Sequence, residues 1–289
     1  MLPRSALPNR QHFVEELKLA GFSANTIDVY VRAVRQLSDC FGKNPSVLND
    51  NDIRSYLLHL KNNVSVPTYN IAVTAIQHFF KLCVPQRPAP KYKLIRVPFK
   101  LPEVLSPQEI KRFLDHVTGL KYKTIFSLMY SSGMRIGECT NLKPEDIDST
   151  RMLIHIRQAK GNKDRFTVIG ETALELLRHY YTSYRPSVWL FEGMPKGTPL
   201  HVRSIQNVFK RAVRDAGIKK VIRPHTLRHS FATNLLEQRC PLPAIQRFLG
   251  HKNIDSTVIY THISPKTLSE IINPLDALMA SESKEVRHD

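Results

Sequence analysis

The chain has 289 residues, room for two ordinary domains, and its 42% hydrophobic and 23% charged residues exclude wholesale disorder. No apolar run reaches the ~18 residues of a conventional membrane-spanning helix, and the first ten residues lack the apolar stretch of a secretory signal. Lys and Arg number 42 against 25 Asp and Glu, a net charge of +17. Up to residue 100 there are 14 basic and 6 acidic residues, and after it 28 and 19, so both parts are strongly positive. A polyanion touching both parts, DNA or RNA, is the expected partner; solubility alone is the rival explanation. No lipidation motif or lipid-binding amphipathic helix favours a membrane. Cys40, Cys83, Cys139 and Cys240 form no C-x-x-C pair. That argues against a disulfide framework or cysteine zinc site and for a reducing cytoplasm.

In chain order, Phe13, Val14, Leu17 and Leu19 make the apolar stripe of a first helix ending at Gly21. Ser23 or Asn25 is suited to cap a second, carrying Ile27, Val29, Ala33, Val34 and Leu37. Asn49-Asp50 opens a third with Ile53, Tyr56, Leu57 and Leu60. Ser65-Val66-Pro67 opens a fourth, with proline in the first turn. Between residues 85 and 102, Pro85, Pro88, Pro90, Pro98 and Pro102 interrupt any helix among Arg87, Lys91, Lys93, Arg96 and Lys100. This is a basic, semi-extended linker, either a solvated connector or a strap along a phosphate backbone. The predicted boundaries are a helical domain over 1–86, a linker over 87–103 and a second domain over 104–289. Ser106-Pro107-Gln108-Glu109 is a capping box that starts the second domain. A helical run over Thr124 to Tyr130 precedes Gly133. Residues 152–156 and 166–169 read as two strands around a turn at Ala159 to Asp164. Everything after Glu171 reads as helical.

The chemistry-bearing residues cluster late in the chain. In Arg223-Pro224-His225-Thr226-Leu227-Arg228-His229, Leu227 and Phe231 face a core while His225 and Arg228 share another side of the helix. An imidazole beside a guanidinium fork is a grip for a phosphate-like anion, although a solvated helix face accounts for the same pattern. His225 and His229 also stand at H-x-x-x-H spacing. The zinc-protease version requires Glu after the first His, and Thr226 is there instead. Tyr260 and His251 gain interest only beside an upstream arginine, which Arg135 in Ser132-Gly133-Met134-Arg135-Ile136-Gly137-Glu138 supplies.

Taken together, these motifs resemble those of the tyrosine recombinase (phage integrase) family, and among them its compact Xer-like members. The resemblance runs through Met129 to Glu138, the hairpin Ala159-Lys160-Gly161-Asn162-Lys163-Asp164-Arg165, and His225-Thr226-Leu227-Arg228-His229. It continues with Leu249-Gly250-His251 and Tyr260-Thr261-His262. The motifs stand in family order at family-like spacing. The resemblance implies a mainly α fold with a small β-hairpin or sheet. A helical, SAM-like core-binding domain and a catalytic domain would form a C-clamp around double-stranded DNA, with a C-terminal oligomerisation segment.

The resemblance also implies the roles. Arg135 and Arg228 would hold the scissile phosphate, with His225 and His251 hydrogen-bonding there, Lys160 protonating the leaving 5′ oxygen and Tyr260 acting as nucleophile. Glu138 would support Arg135, and Lys163 and Arg165 would touch the DNA backbone, while Thr226 and His229 would serve the fold. No cofactor is expected: there is neither a G-x-x-x-x-G-K-[ST] loop nor a carboxylate set for two metal ions. Family members act as homotetramers on two duplexes, some with accessory DNA-bending proteins. The implied activity is site-specific recombination through a 3′-phosphotyrosyl intermediate. Two alternatives are a type IB topoisomerase-like relaxing enzyme and a DNA-binding protein without catalysis. An integron-type integrase usually carries an extra helical insertion, for which Tyr184 to His201 leaves little room.

Overall fold

The structure, a computed structural model, describes residues 9–98, 100–159, 163–250 and 257. It divides into two compact units, Met1–Phe99 and Lys100–Asp289. Among the described residues no helix is long and apolar enough to cross a membrane.

The first unit holds α1 (Arg10–Leu19), α2 (Ala24–Phe41), α3 (Asp50–Asn63) and α4 (Val66–Cys83). Their starts follow local chemistry. Ser23 caps α2 by accepting from the Thr26 N–H at 3.3 Å, so Ser23 rather than Asn25 is the cap. Asn49 and Asp52 make a reciprocal capping box at α3, with bonds of 2.9 and 3.0 Å. Ser65 precedes α4 without capping it; its hydroxyl meets that of Thr68 at 2.9 Å. Phe13, Leu17, Val34, Leu37, Ile53, Val73, Ile76, Phe79 and Phe80 form one buried core. Within it the Phe79 ring meets Phe13 edge-on at 5.3 Å, a geometry worth ~0.5–1.5 kcal/mol beyond burial.

The proline-rich stretch has no helix or strand over 88–98, yet it is fastened down. Asn70 donates to the Ile95 carbonyl at 2.8 Å and accepts from the Ile95 N–H at 2.9 Å. Gln77 donates to the Tyr92 carbonyl at 3.1 Å. Ala89, Tyr92 and Ile95 pack on the helical core. Arg87 bonds the Leu48 carbonyl and Asp50 and covers the Phe80 ring. Residues 87–95 thus belong to the first unit's surface and are not a free connector.

The second unit starts with α5 (Pro107–Asp115), where Ser106 and Glu109 make both bonds of the expected box. Then come α6 (Leu120–Ser132), the short α7 (Ile136–Thr140), and strands β1 (Ile147–Asp148), β2 (Leu153–Ala159) and β3 (Lys163–Val168). The strands form one antiparallel sheet in the order β1-β2-β3, with Ile154 opposite Thr167 and Ile156 opposite Arg165. Of the turn expected from Ala159 to Asp164, Ala159, Lys163 and Asp164 belong to the strands, and residues 160–162 lie outside the described residues.

Among the described residues four helices follow: α8 (Glu171–Tyr184), α9 (Val202–Asp215), α10 (Pro224–Glu237) and α11 (Leu242–Leu249). Between α8 and α9 the expected helical continuity is broken. Cap residue Arg185 turns left-handed, and an isolated antiparallel bridge pairs Glu192 with Pro199. Phe113, Phe126 and Phe209 centre the main core, with ring centroids 4.9 to 5.6 Å apart. A smaller cluster of Phe231, Ala232, Ile245 and Leu249 packs α10 against α11.

Candidate active site

The site is assembled where α6 stops. Gly133 caps α6 at φ 63°, a left-handed conformation that costs other residues ~1–2 kcal/mol. A Cβ there would also sit 2.5 Å from the Phe231 ring and 2.9 Å from Leu249. Glycine therefore lets the end of α6 press onto α10 and α11. The chain then turns sharply, and Arg135 stands at the N-cap of α7.

Arg228 projects from α10 into this junction. Its guanidinium donates to the Gly133 carbonyl at 2.7 Å and to the Leu249 carbonyl at 2.6 Å, and the residue is 1% exposed. A buried cation is tolerable only when its donors are satisfied, and these two carbonyls also terminate helices whose last oxygens need partners. Arg228 thus locks the ends of α6 and α11 together.

Glu138 organises the other arginine. It accepts from the Arg135 backbone N–H at 2.8 Å and from the Arg135 guanidinium at 2.7 Å. Arg165 of β3 forks onto both Glu138 oxygens at 2.8 Å and donates to the Phe248 carbonyl at 3.0 Å. Burial opposes the charge on Glu138, but the bonds and charge of Arg165, then those of Arg135, outweigh it and hold its pKa at about 2. Glu138 is therefore a carboxylate at neutral pH, and it holds both the backbone and the guanidinium of Arg135.

His225 lies in the first turn of α10 and keeps solvent-exposed surface. Partial enclosure, then the positive charges of Arg228 and Arg135, holds its pKa below the usual imidazole value, with Glu138 opposing. The coupling places Arg135, Glu138, His225 and Arg228 in one electrostatic neighbourhood. His229 is held at about 4 by burial and by His225 and Arg228. The His225 and His229 rings meet edge-on at 5.5 Å, and among the described residues no third His, Cys, Asp or Glu joins them in a metal-binding cluster. Thr226 is buried, and its hydroxyl accepts from the Arg223 N–H at 3.2 Å.

Of the sequence-derived site residues, the fold brings together Arg135, His225 and Arg228, with Glu138 beside them. Lys160, His251 and Tyr260 lie outside the described residues. One expectation meets a different geometry. Arg165, expected at the DNA backbone, turns inward, 8% exposed, onto Glu138, which is 9% exposed. The signal for this was the strand period: Arg165 shares the inward face of β3 with buried Thr167, where a cation requires a buried anion.

Comparison with known proteins identifies the family. Residues 103–267 match the Phage integrase family, and residues 10–88 match the phage integrase N-terminal SAM-like domain. Sinorhizobium fredii y4qK, provisionally named an integrase/recombinase, is 36% identical, covering 94% of this chain and 89% of its own. The tyrosine recombinase XerA of Thermococcus kodakarensis is 34% identical, covering 89% and 92%. The crystal structure of XerH site-specific recombinase bound to its difH substrate shares the fold, with TM-score 0.69, 21% identity, and coverage of 92% and 84%. The chain belongs to the phage integrase family. It is a tyrosine recombinase, an enzyme that recombines DNA at specific sites by cutting and rejoining strands.

Proposed function

We propose that the chain cuts one strand of double-stranded DNA by attack of Tyr260 on the scissile phosphate, leaving a 3′-phosphotyrosyl bond. The convergence of Arg135, Arg228 and His225, with Glu138 fixing the first arginine, carries this reading. The family match over 103–267 takes in the motif positions of Lys160, His251 and Tyr260. As the Tyr260 oxygen bonds to phosphorus, the bond from phosphorus to the 5′ oxygen breaks. His225 takes the phenol proton, and Lys160 gives a proton to the departing oxygen. Arg135 and Arg228 hold the non-bridging oxygens, whose charge grows toward the transition state, and His251 adds a hydrogen bond. An imidazole kept neutral by partial burial, and then by two nearby guanidiniums, is free to accept that proton at neutral pH. Rejoining reverses the steps with a new 5′ hydroxyl, so bond energy is conserved without ATP.

The assembly follows from the same reading. Residues 1–86 are the core-binding domain, 87–103 the linker, whose first part is fastened to that domain, and 104–289 the catalytic domain, closing as a C-clamp on duplex DNA. Both parts are positive, so each contributes phosphate contacts. Four copies on two duplexes carry out the exchange, the segment beyond Lys266 linking neighbours. Accessory DNA-bending proteins assist where the site requires it, and the reaction belongs in the cytoplasm. Sequencing the DNA covalently trapped on the purified protein from a random-sequence duplex library tests the reading. Recovery of one shared site supports it. Free relaxation of a supercoiled plasmid lacking that site would favour a topoisomerase, and absence of any adduct would favour a non-catalytic binder.

A further inference from the structure

The residue left unexplained by the roles above is Arg165. One side chain touches three separate pieces of the site: it rises from the hairpin strand β3, forks onto Glu138 behind Arg135, and bonds the Phe248 carbonyl at the end of α11. The adjacent Leu249 carbonyl is taken by Arg228, so two arginines grip successive oxygens of the same helix end. The path of Arg165 is built for it. Gly250, at φ 62°, would place a Cβ 2.5 Å from the Arg165 Cδ, so the glycine before His251 clears the way. Both partners are nearly solvent-free, and a lysine has no planar fork with which to reproduce the three contacts.

We propose that Arg165 is a positioning residue for recombination, holding Arg135 in its phosphate-binding orientation through Glu138 and fixing the end of α11 against the catalytic hairpin. It acts through Glu138 and backbone, not by touching DNA. The inference rests on the phosphotyrosyl reading above, and its test separates the two.

The test uses full-length protein and the duplex recovered from wild-type adducts, measuring the single-turnover cleavage rate at saturating DNA, the Kd and the pH profile. Arg165→Met should cleave about a hundredfold slower, the scale of a misplaced catalytic group, with Kd unchanged within about threefold. Arg165→Lys should recover only part of the rate. Without the fork, burial lifts the Glu138 pKa, so Arg165→Met should gain a loss of cleavage as pH falls that wild type lacks. The double variant Arg165→Met/Glu138→Gln removes both buried charges and so guards against misfolding; it should stay slow and lose that acid limb. Unchanged cleavage with weaker, more salt-sensitive binding would overturn the inference in favour of a backbone contact. So would a double variant that cleaves like wild type. Wild type forming no adduct on the random library would remove the phosphotyrosyl reading and this inference together, whereas an active wild type with an equally active Arg165→Met removes only the inference.

Discussion

Replacing Glu138 by Gln keeps the side-chain shape and removes one charge that both arginines depend on. The carboxylate is lowered from 4.5 to about 2 and its side chain is 9% exposed, so solvent screening takes little from the interaction. At ~1.4 kcal/mol for each pKa unit, that lowering is worth about 3 kcal/mol of stability at neutral pH. Breaking a buried ion pair from one side has a cost of similar size, ~3–5 kcal/mol, which supports the magnitude. Because the folded pKa lies below the unfolded one, the stabilisation is complete above about pH 5 and is lost as pH falls toward about 2. Thermal unfolding should therefore show the transition of the catalytic unit lowered by about 10 °C in Glu138→Gln at pH 7. The free-energy gap to wild type should shrink to less than half by about pH 3. A gap that stays constant across this range, or no gap at pH 7, would refute the claim that Glu138 is a carboxylate held charged by Arg165 and Arg135.

Gly133→Ala combines a left-handed backbone with a Cβ 2.5 Å from Phe231, so it should lower stability by at least ~1–2 kcal/mol and slow cleavage. An unchanged melting temperature would show that the α6 end is not pressed onto α10. Asn70→Ala removes both bonds to Ile95 and should speed proteolytic cutting within 88–98, while the four helices stay folded. Equal cutting rates would mean that packing of Tyr92 and Ile95 alone holds the strap. Lys160→Ala should cleave ordinary DNA very slowly and regain most of its rate when sulfur replaces the bridging 5′ oxygen, since a thiolate leaves without a proton. Arg135 and Arg228 variants should gain much less from sulfur, and no selective rescue would pass the general-acid role to another residue.

Local signals carried much of the architecture. The cap at Asn49, the box at Ser106, the apolar stripes of α1 to α4 and the glycine ending α6 are read within a few residues, where capping and periodicity act. His225 and Arg228 are visible together because they lie three apart on one helix. What escaped depends on distant partners. The two-residue β1 has no alternation to read, and exists only by pairing with β2. The strap over 87–95 looked like a connector because Asn70 and Gln77, which fasten it, are far away in sequence. The near-complete burial of Arg228 rests on carbonyls of Gly133 and Leu249, contributed by two other helices. Arg165 escaped for the same reason: its fork closes on Glu138, across the sheet and α7.

In the proposed reaction Tyr260 becomes joined to DNA. Mass spectrometry of the adduct formed on the recovered duplex, after protease and nuclease digestion, tests it most directly. The expected product is a nucleotide linked through its 3′ phosphate to the peptide containing Tyr260, with no such species from Tyr260→Phe, which should still bind DNA with nearly wild-type affinity. A linkage to another residue, a 5′-phosphate attachment, or an adduct that persists in Tyr260→Phe would contradict it.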